Sequence, residues 1–316
     1  MESLGEIMRS MPNSSLMRRA EEKVVQVLAD PLVRKLTAKY PGLDAYTLRM
    51  NVNKLYQYIT EHNQCSQCPG LEKCPNDFTG HYTMIGVEPA GESLELIDYK
   101  VSCKKYVAKQ AQDAIKGRIR SFYVDDRALK QGYSIDEIVT NDPQRMSAVL
   151  QVGSYIMETT EAGLQNKGLF LSGPFGTGKT FLMCYMLYEL AKTGLTGAIV
   201  YMPDFAEDLK AMFQEPQKLK ETIDALKDTD LLVFDDLGAE NLNPWLRDHV
   251  MGTILNYRMN RKPTFFTSNY SLDDLQKHFS FTNGDGEQEF KGQRIMDRIR
   301  PFVDVIEVHG HNKRGM

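Results

Sequence analysis

Hydrophobic positions keep a helical period over residues 15–62 and lose it between residues 65 and 103. After about residue 165 they fall into short apolar runs separated by helical stretches. In the first section Leu48, Val52, Leu55 and Ile59 recur on one helical face. Asp30 before Pro31 is an N-cap followed by proline at the first helical position. The stripe reads as the core of its own domain, with a partner-binding face as the alternative. Glycines, prolines and runs such as Leu94-Glu95-Leu96-Ile97 then predict loops and small strands built round a staple. Residues 106–120 are polar and basic, with few large apolar side chains, and read as a linker.

The later apolar runs are residues 168–172, 198–202, 231–235, 264–268 and 303–308. Strands that alternate with helices predict an α/β unit with a parallel sheet covered on both faces. The expected organisation is therefore a helical, Cys/His-rich unit over 1–105, a linker over 106–120 and an α/β unit over 121–316. No internal repeat or low-complexity tract interrupts it.

At 316 residues the chain suits two domains better than one. Its formal net charge of −4 excludes a surface that is basic throughout, so any contact with DNA needs a local basic stripe. No stretch has the length of a membrane span, and the start up to Arg19 lacks the apolar core of a signal peptide. A cytoplasmic location is expected, where thiols stay reduced. Four of the five cysteines lie between Cys65 and Cys103, and in a reducing compartment such a cluster holds a metal more readily than it forms disulfides.

The chemistry concentrates in four places. Gly173-Pro174-Phe175-Gly176-Thr177-Gly178-Lys179-Thr180 matches the phosphate-binding loop G-x-x-x-x-G-K-[ST], after an apolar strand and before a helical stretch. Glycines let consecutive N–H groups point at the phosphates of ATP, and Lys179, expected to face solvent, adds a charge on the β- and γ-phosphates. The Thr180 hydroxyl suits Mg²⁺. Asp235 and Asp236 emerge at the end of the apolar run Leu231–Phe234, where ligands collect in open α/β sheets. Asp235 is expected in the Mg²⁺ shell and Asp236 as the base that orients and deprotonates water. A third run ends in Thr267-Ser268-Asn269, whose amide can position that water. Arg294 and Arg298, four residues apart on one helix face, can reach the ATP of a neighbouring subunit. Cys184, on the helix after the loop, reads as a small buried apolar residue.

Cys65-Ser66-Gln67-Cys68 is half of a tetrahedral zinc site. Cys74, His81 and Cys103 compete for the two remaining positions. Cys103 is expected to clip the distant end of the domain, and His81 is preferred to Cys74, which follows Cys68 closely. Cys-Pro at residues 68–69 and 74–75 keeps an iron–sulfur cluster open as a second possibility. Zinc at Cys65, Cys68, His81 and Cys103 would be closed and structural.

Together these motifs resemble the AAA+ ATPases of the bacterial helicase-loader clade, over roughly residues 118–316. That clade holds DnaC-type and DnaI-type loaders and the ATPases that assist certain transposases. Asp235-Asp236 followed by Leu237-Gly238 favours it over AAA+ proteins with Asp-Glu at this place. By that resemblance Asn269 is the first sensor, and Arg298, with Arg294 second, is the trans-acting finger. Only 16 residues follow Arg300, too few for the usual C-terminal lid, so no second-sensor arginine is assigned. The front Cys/His cluster looks like that of DnaI-type primosomal loaders. This implies a protein that self-associates through its ATPase unit, binds the replicative hexameric helicase and places it on single-stranded DNA. Alternatives from other classes are an ATP-switched metal- or redox-sensing regulator, a transposase-helper ATPase and a small-molecule kinase. Phe205 to Lys227, with Lys210, Phe213, Lys218 and Lys220, reads either as a DNA-facing helix or as a solvated amphipathic one.

Overall fold

The computed structural model describes residues 15–91, 93–122, 143–282 and 284–312. Two compact units divide after Gln112.

Among the described residues, the front unit packs four helices against one hairpin. The helices are α1 (Ser15–Leu28), α2 (Pro31–Lys39), α3 (Ala45–Met50) and α4 (Val52–Ser66). The Asp30 carboxylate accepts from Leu32 N at 2.8 Å and starts α2, and Asp44 accepts from Thr47 N at 2.7 Å and starts α3. Leu48, Leu55 and Ile59 are buried with Val27, Val33, Leu43, Ile85 and Leu96, and Val52 packs against them. The helical stripe is thus core. Residues 81–102 form one antiparallel ribbon, β1 (His81–Ala90) and β2 (Ser93–Ser102), with His81 opposite Ser102. Glu61 on α4 fastens that ribbon. Its buried carboxylate accepts from Thr83 N and from Lys100 Nζ.

The segment expected as a linker is regular. Helix α5 (Lys104–Gly117) occupies most of it, and strand β3 (Ile119–Phe122) begins within it. No residue of α5 is buried. A helix without a buried face leaves no apolar period, which is why its pattern looks like linker. Residues 123–142, the next part of the expected α/β unit, lie outside the described residues.

The second unit is a six-stranded parallel sheet in the order β10-β4-β7-β6-β5-β3. The strands after β3 are β4 (Gly168–Ser172), β5 (Gly197–Tyr201), β6 (Leu231–Asp235), β7 (Thr264–Ser268) and β10 (Val303–Glu307); β8 (Phe281–Thr282) and β9 (Gly286–Glu287) form a separate small hairpin. Alternate residues of one strand enter different cores. Leu169, Leu171 and Val233 pack with Val152, Met183 and Leu187 on one face, while Phe170, Phe234 and Phe266 pack with Phe205, Ile254 and Phe279 on the other. Helices therefore cover both faces: α6 (Met146–Ala162), α7 (Lys179–Lys192), α8 (Met202–Ala211), α9 (Pro216–Asp228), α10 (Gly252–Arg258), α11 (Leu272–Ser280) and α12 (Glu289–Met296). A π-helical turn, Leu246–Met251, leads into α10. No helix follows β10 among the described residues, and none of those described is long and apolar enough to cross a membrane.

The order matters for function because β7 lies between β4 and β6. In register, Ser172 stands beside Ser268 and Phe234 beside Phe266. The C-terminal ends of these three neighbouring strands, which carry the phosphate loop, the paired aspartates and Asn269, therefore meet.

Candidate nucleotide site

The phosphate loop runs from β4 into α7, with Gly178 at the helix N-cap in a left-handed conformation, φ 94°. Gly173 is required for a different reason. At φ 145° its backbone passes so near the chain after β10 that a Cβ would lie 2.3 Å from Val308 O. Thr177 is buried and its hydroxyl donates to Pro174 O at 3.0 Å, whereas Phe175 is exposed. Lys179 departs from the solvent-facing position expected of it. It is 7% exposed, and Nζ donates to Gly173 O, Pro174 O and Asn269 Oδ1, each at 2.8 Å. An ammonium carries three protons, and the loop carbonyls and the amide take them all.

The Thr180 hydroxyl donates to the Asp235 carboxylate, 2.8 and 3.1 Å from its two oxygens. Thr267, at the end of β7, donates to Asp235 Oδ1 at 2.6 Å and accepts from Asp236 N at 2.9 Å. Burial pushes the Asp235 carboxyl above its ordinary value, and the hydroxyls of Thr267 and Thr180 work against that shift. Asp236 holds a left-handed backbone, φ 54°, uncommon for a residue other than glycine. Its Oδ1 accepts from Asn269 Nδ2 at 2.8 Å. Lys179, Asn269, Asp236, Thr267, Asp235 and Thr180 thus form one connected set. Two hydroxyls, one amide and one ammonium stand there with two carboxylates, the composition that suits Mg²⁺ and a triphosphate.

The arginines stand elsewhere. Arg294 lies in the last turn of α12, but the helix ends at Met296, and Arg298 curls back so that Nη1 donates to Arg294 O. Both line an open cleft of about 620 Å³ with Lys227, His249, Arg261 and Lys291. No phosphate-loop residue, nor Asp235, Asp236 or Asn269, is among the residues lining it. The two sites do not meet within one chain.

Comparison with known proteins accounts for both units. Residues 1–90 match the family described as "Primosomal protein DnaI N-terminus", and residues 137–315 match "IstB-like ATP binding protein". The chain is 33% identical to the replicative helicase loader DnaI of Bacillus subtilis over 299 residues, 94% of either chain. It belongs to the DnaI family of helicase loaders. A crystal structure of DnaI superposes with a TM-score of 0.51 at 35% identity, covering 63% of this chain and 99% of that one. A candidate primosome component from Streptococcus pyogenes gives 0.50 at 30% identity, covering 64% and 99%. The second unit is that of an ATP-binding protein.

The front unit carries four of the five cysteines, and here the expected geometry is not assembled. Among the described residues no three Cys, His, Asp or Glu side chains stand as a group that would hold a metal ion. His81 directs Nδ1 to Thr79 O at 3.1 Å and Nε2 to the Ser102 hydroxyl at 3.0 Å, so neither ring nitrogen faces a thiol. Each thiol of the cluster instead accepts a hydrogen bond: Cys65 from Asn76 Nδ2, Cys68 from Lys105 Nζ, Cys74 from Gly80 N and Cys103 from Tyr106 N. The bond from Gly70 N and the Lys105 ammonium hold the Cys68 thiol below its ordinary value. Cys184 is buried, as expected, and burial pushes its thiol up.

Two further placements bear on the sequence expectations. Phe205 is core, while Lys210 on α8 pairs with Glu207 and Lys218 on α9 pairs with Glu215, just before that helix. Thr267 was missed as a functional residue; a hydroxyl closing an apolar strand beside one that ends in two aspartates was its signal. Glu240, buried in the loop after Asp236, carried none.

Proposed function

We propose that this chain is an ATP-dependent loader that binds the replicative hexameric helicase and places it on single-stranded DNA during initiation or restart of replication. The observation that carries this is the likeness to a replicative helicase loader through both units of one chain. ATP sits over the phosphate loop, with Lys179 exchanging its contacts to Gly173 O and Pro174 O for phosphate oxygens. Thr180 and Asp235 would hold Mg²⁺, which would supply neutralisation of phosphate charge. Asp236 takes the proton of the attacking water, and Asn269, bonded to both Lys179 and Asp236, keeps that water in line. Arg298, with Arg294 beside it, acts on the ATP of a second copy, consistent with a cleft apart from its own phosphate loop. Single-stranded DNA and self-association belong to the same proposal.

Co-purification with the replicative helicase, with and without ATP, followed by mass measurement, tests it. A complex of defined stoichiometry is expected. Turnover of ATP that ignores both the helicase and single-stranded DNA, with no complex formed, would overturn it.

Zinc remains part of the proposal for the front unit. Four thiols and His81 lie within one small hairpin-and-helix assembly, and a closed structural site would contribute folding energy there. Metal analysis of the purified chain is expected to find zinc at one per chain. Substituting Cys65 and Cys68 by serine should release it and lower the helicity of the front unit; a metal-free, fully folded chain would sink the assignment.

A further inference from the structure

The turn that follows Asp236 is held from a direction that nucleotide chemistry does not use. Ala239 N donates to Asp236 O at 3.1 Å and closes a four-residue turn, with Gly238 at φ 97° in its third position. Inside this turn Gly238 N donates to Glu240 Oε2 at 2.7 Å. The Glu240 side chain is fully buried, and its other oxygen, Oε1, lies 2.9 Å from His278 Nε2 on α11. Tyr270, the residue after Asn269, stacks on the His278 ring. The same Tyr270 ring is what a Cβ on Gly238 would strike, at 2.5 Å. Through His278, and the Tyr270 ring stacked on it, this carboxylate links the turn after Asp236 to the residue that follows Asn269.

We propose that Glu240 is a positioning residue for ATP hydrolysis, holding the turn after Asp236 in register with Asn269 through Gly238 N and His278. This rests on Asp236 being the base. A left-handed, non-glycine residue such as Asp236 persists only where its surroundings over-determine it. From the strand side Thr267 supplies that support, through Asp236 N and through Thr267 O, which accepts from Leu237 N at 2.8 Å. From the far side Glu240 supplies it. Without the carboxylate Gly238 N is left buried and unpaired, and the turn relaxes toward water. Glu240's hydrogen-bond partners are Gly238 N and His278, not the phosphate loop, so the binding of ATP is spared while the aim of Asp236 is lost.

The test compares Glu240→Ala and Glu240→Gln in the full chain, reading ATP affinity with a fluorescent nucleotide and turnover at saturating ATP. Glutamine keeps an oxygen for Gly238 N and offers its NH₂ to a neutral His278. Glu240→Ala should lose about tenfold to a hundredfold in turnover, with ATP affinity unchanged, and Glu240→Gln should recover most of it. In an Asp236→Asn background Glu240→Ala should cause little further loss, since both act on one step. Should Glu240→Ala not fold, His278→Phe keeps the stacking on Tyr270, removes one partner and is expected to lower turnover alone. Parent turnover in Glu240→Ala while Asp236→Asn is inactive overturns the inference and leaves the assignment of the base intact. Parent turnover in Asp236→Asn overturns both. Loss of ATP affinity in step with turnover, with no rescue by glutamine, assigns Glu240 a merely structural role.

Discussion

Asn269 donates through Nδ2 to Asp236 Oδ1 at 2.8 Å while its Oδ1 accepts from Lys179 at the same distance. One amide thus spans the residue assigned to the γ-phosphate and the residue assigned to the water. Its two ends are chemically distinct, so the side chain can report on one partner to the other only in this orientation. Asn269→Ala should therefore retain ATP binding and lose turnover by about 10²-fold or more, the usual scale for disturbing a positioned base. Single-turnover kinetics at saturating ATP would check it, and a parent rate would mean that the water is aligned by another group.

Lys179→Ala is expected to act on the fold as well as on the nucleotide. Three acceptors lose their donor in a buried place. A stability loss of about 1–3 kcal/mol follows, together with loss of ATP binding. A denaturant melt without nucleotide separates the two effects; an unchanged midpoint would contradict the burial of this lysine.

Asp235 should respond in the opposite sense. Because burial raises its folded value, the native state holds the proton more tightly than the unfolded chain does. Ionisation at neutral pH then weakens the fold, and stability falls as pH rises through the raised value. Asp235→Asn removes the charge and should raise the melting temperature in magnesium-free buffer while abolishing magnesium-dependent turnover. A lower melting temperature than the parent's would count against this account.

Glu61 gives the acid-side counterpart in the front unit. Burial alone would push its carboxyl up, but bonds from Lys100, Thr83 and Gln57 outweigh that and leave it below the ordinary value. Its stabilising contribution is complete above the usual glutamate value of about 4.3 and is lost as pH falls through the lowered one. Glu61→Gln should loosen β1 and β2 at neutral pH and flatten the loss of stability in acid. Hydrogen exchange over residues 81–102 in the full chain, followed from pH 7 downward, would reveal either outcome.

Arg298→Ala and Lys179→Ala chains should each be inactive alone and recover some turnover when mixed. A chain with Lys179 intact can then meet a neighbour with Arg298 intact. Mixtures that co-assemble, by mass measurement, and stay inactive would rule out a shared site.

The local features were legible in the sequence wherever the chemistry is contiguous. The phosphate loop needs eight consecutive residues, and Asp235-Asp236 needs a buried strand before it, so Gly173–Thr180 and the aspartate pair could be read directly. The stripe Leu48, Leu55 and Ile59 was legible because helical periodicity is itself a record of burial. What the sequence could not decide depends on strand order and on turns. Only the insertion of β7 between β4 and β6 brings Asn269 and Thr267 to the aspartates, 31–34 positions away in the chain. Likewise Lys179 looks solvent-facing in a motif, because its three acceptors are backbone oxygens and a distant amide. Glu240 looks like any surface acid until the Gly238 turn and α11 close around it. The polar helix α5 looks like linker because it buries nothing. Periodicity and contiguous motifs carry the energetics of single elements; the pairing of a charge with its partner across the sheet is decided only when the strands take their places.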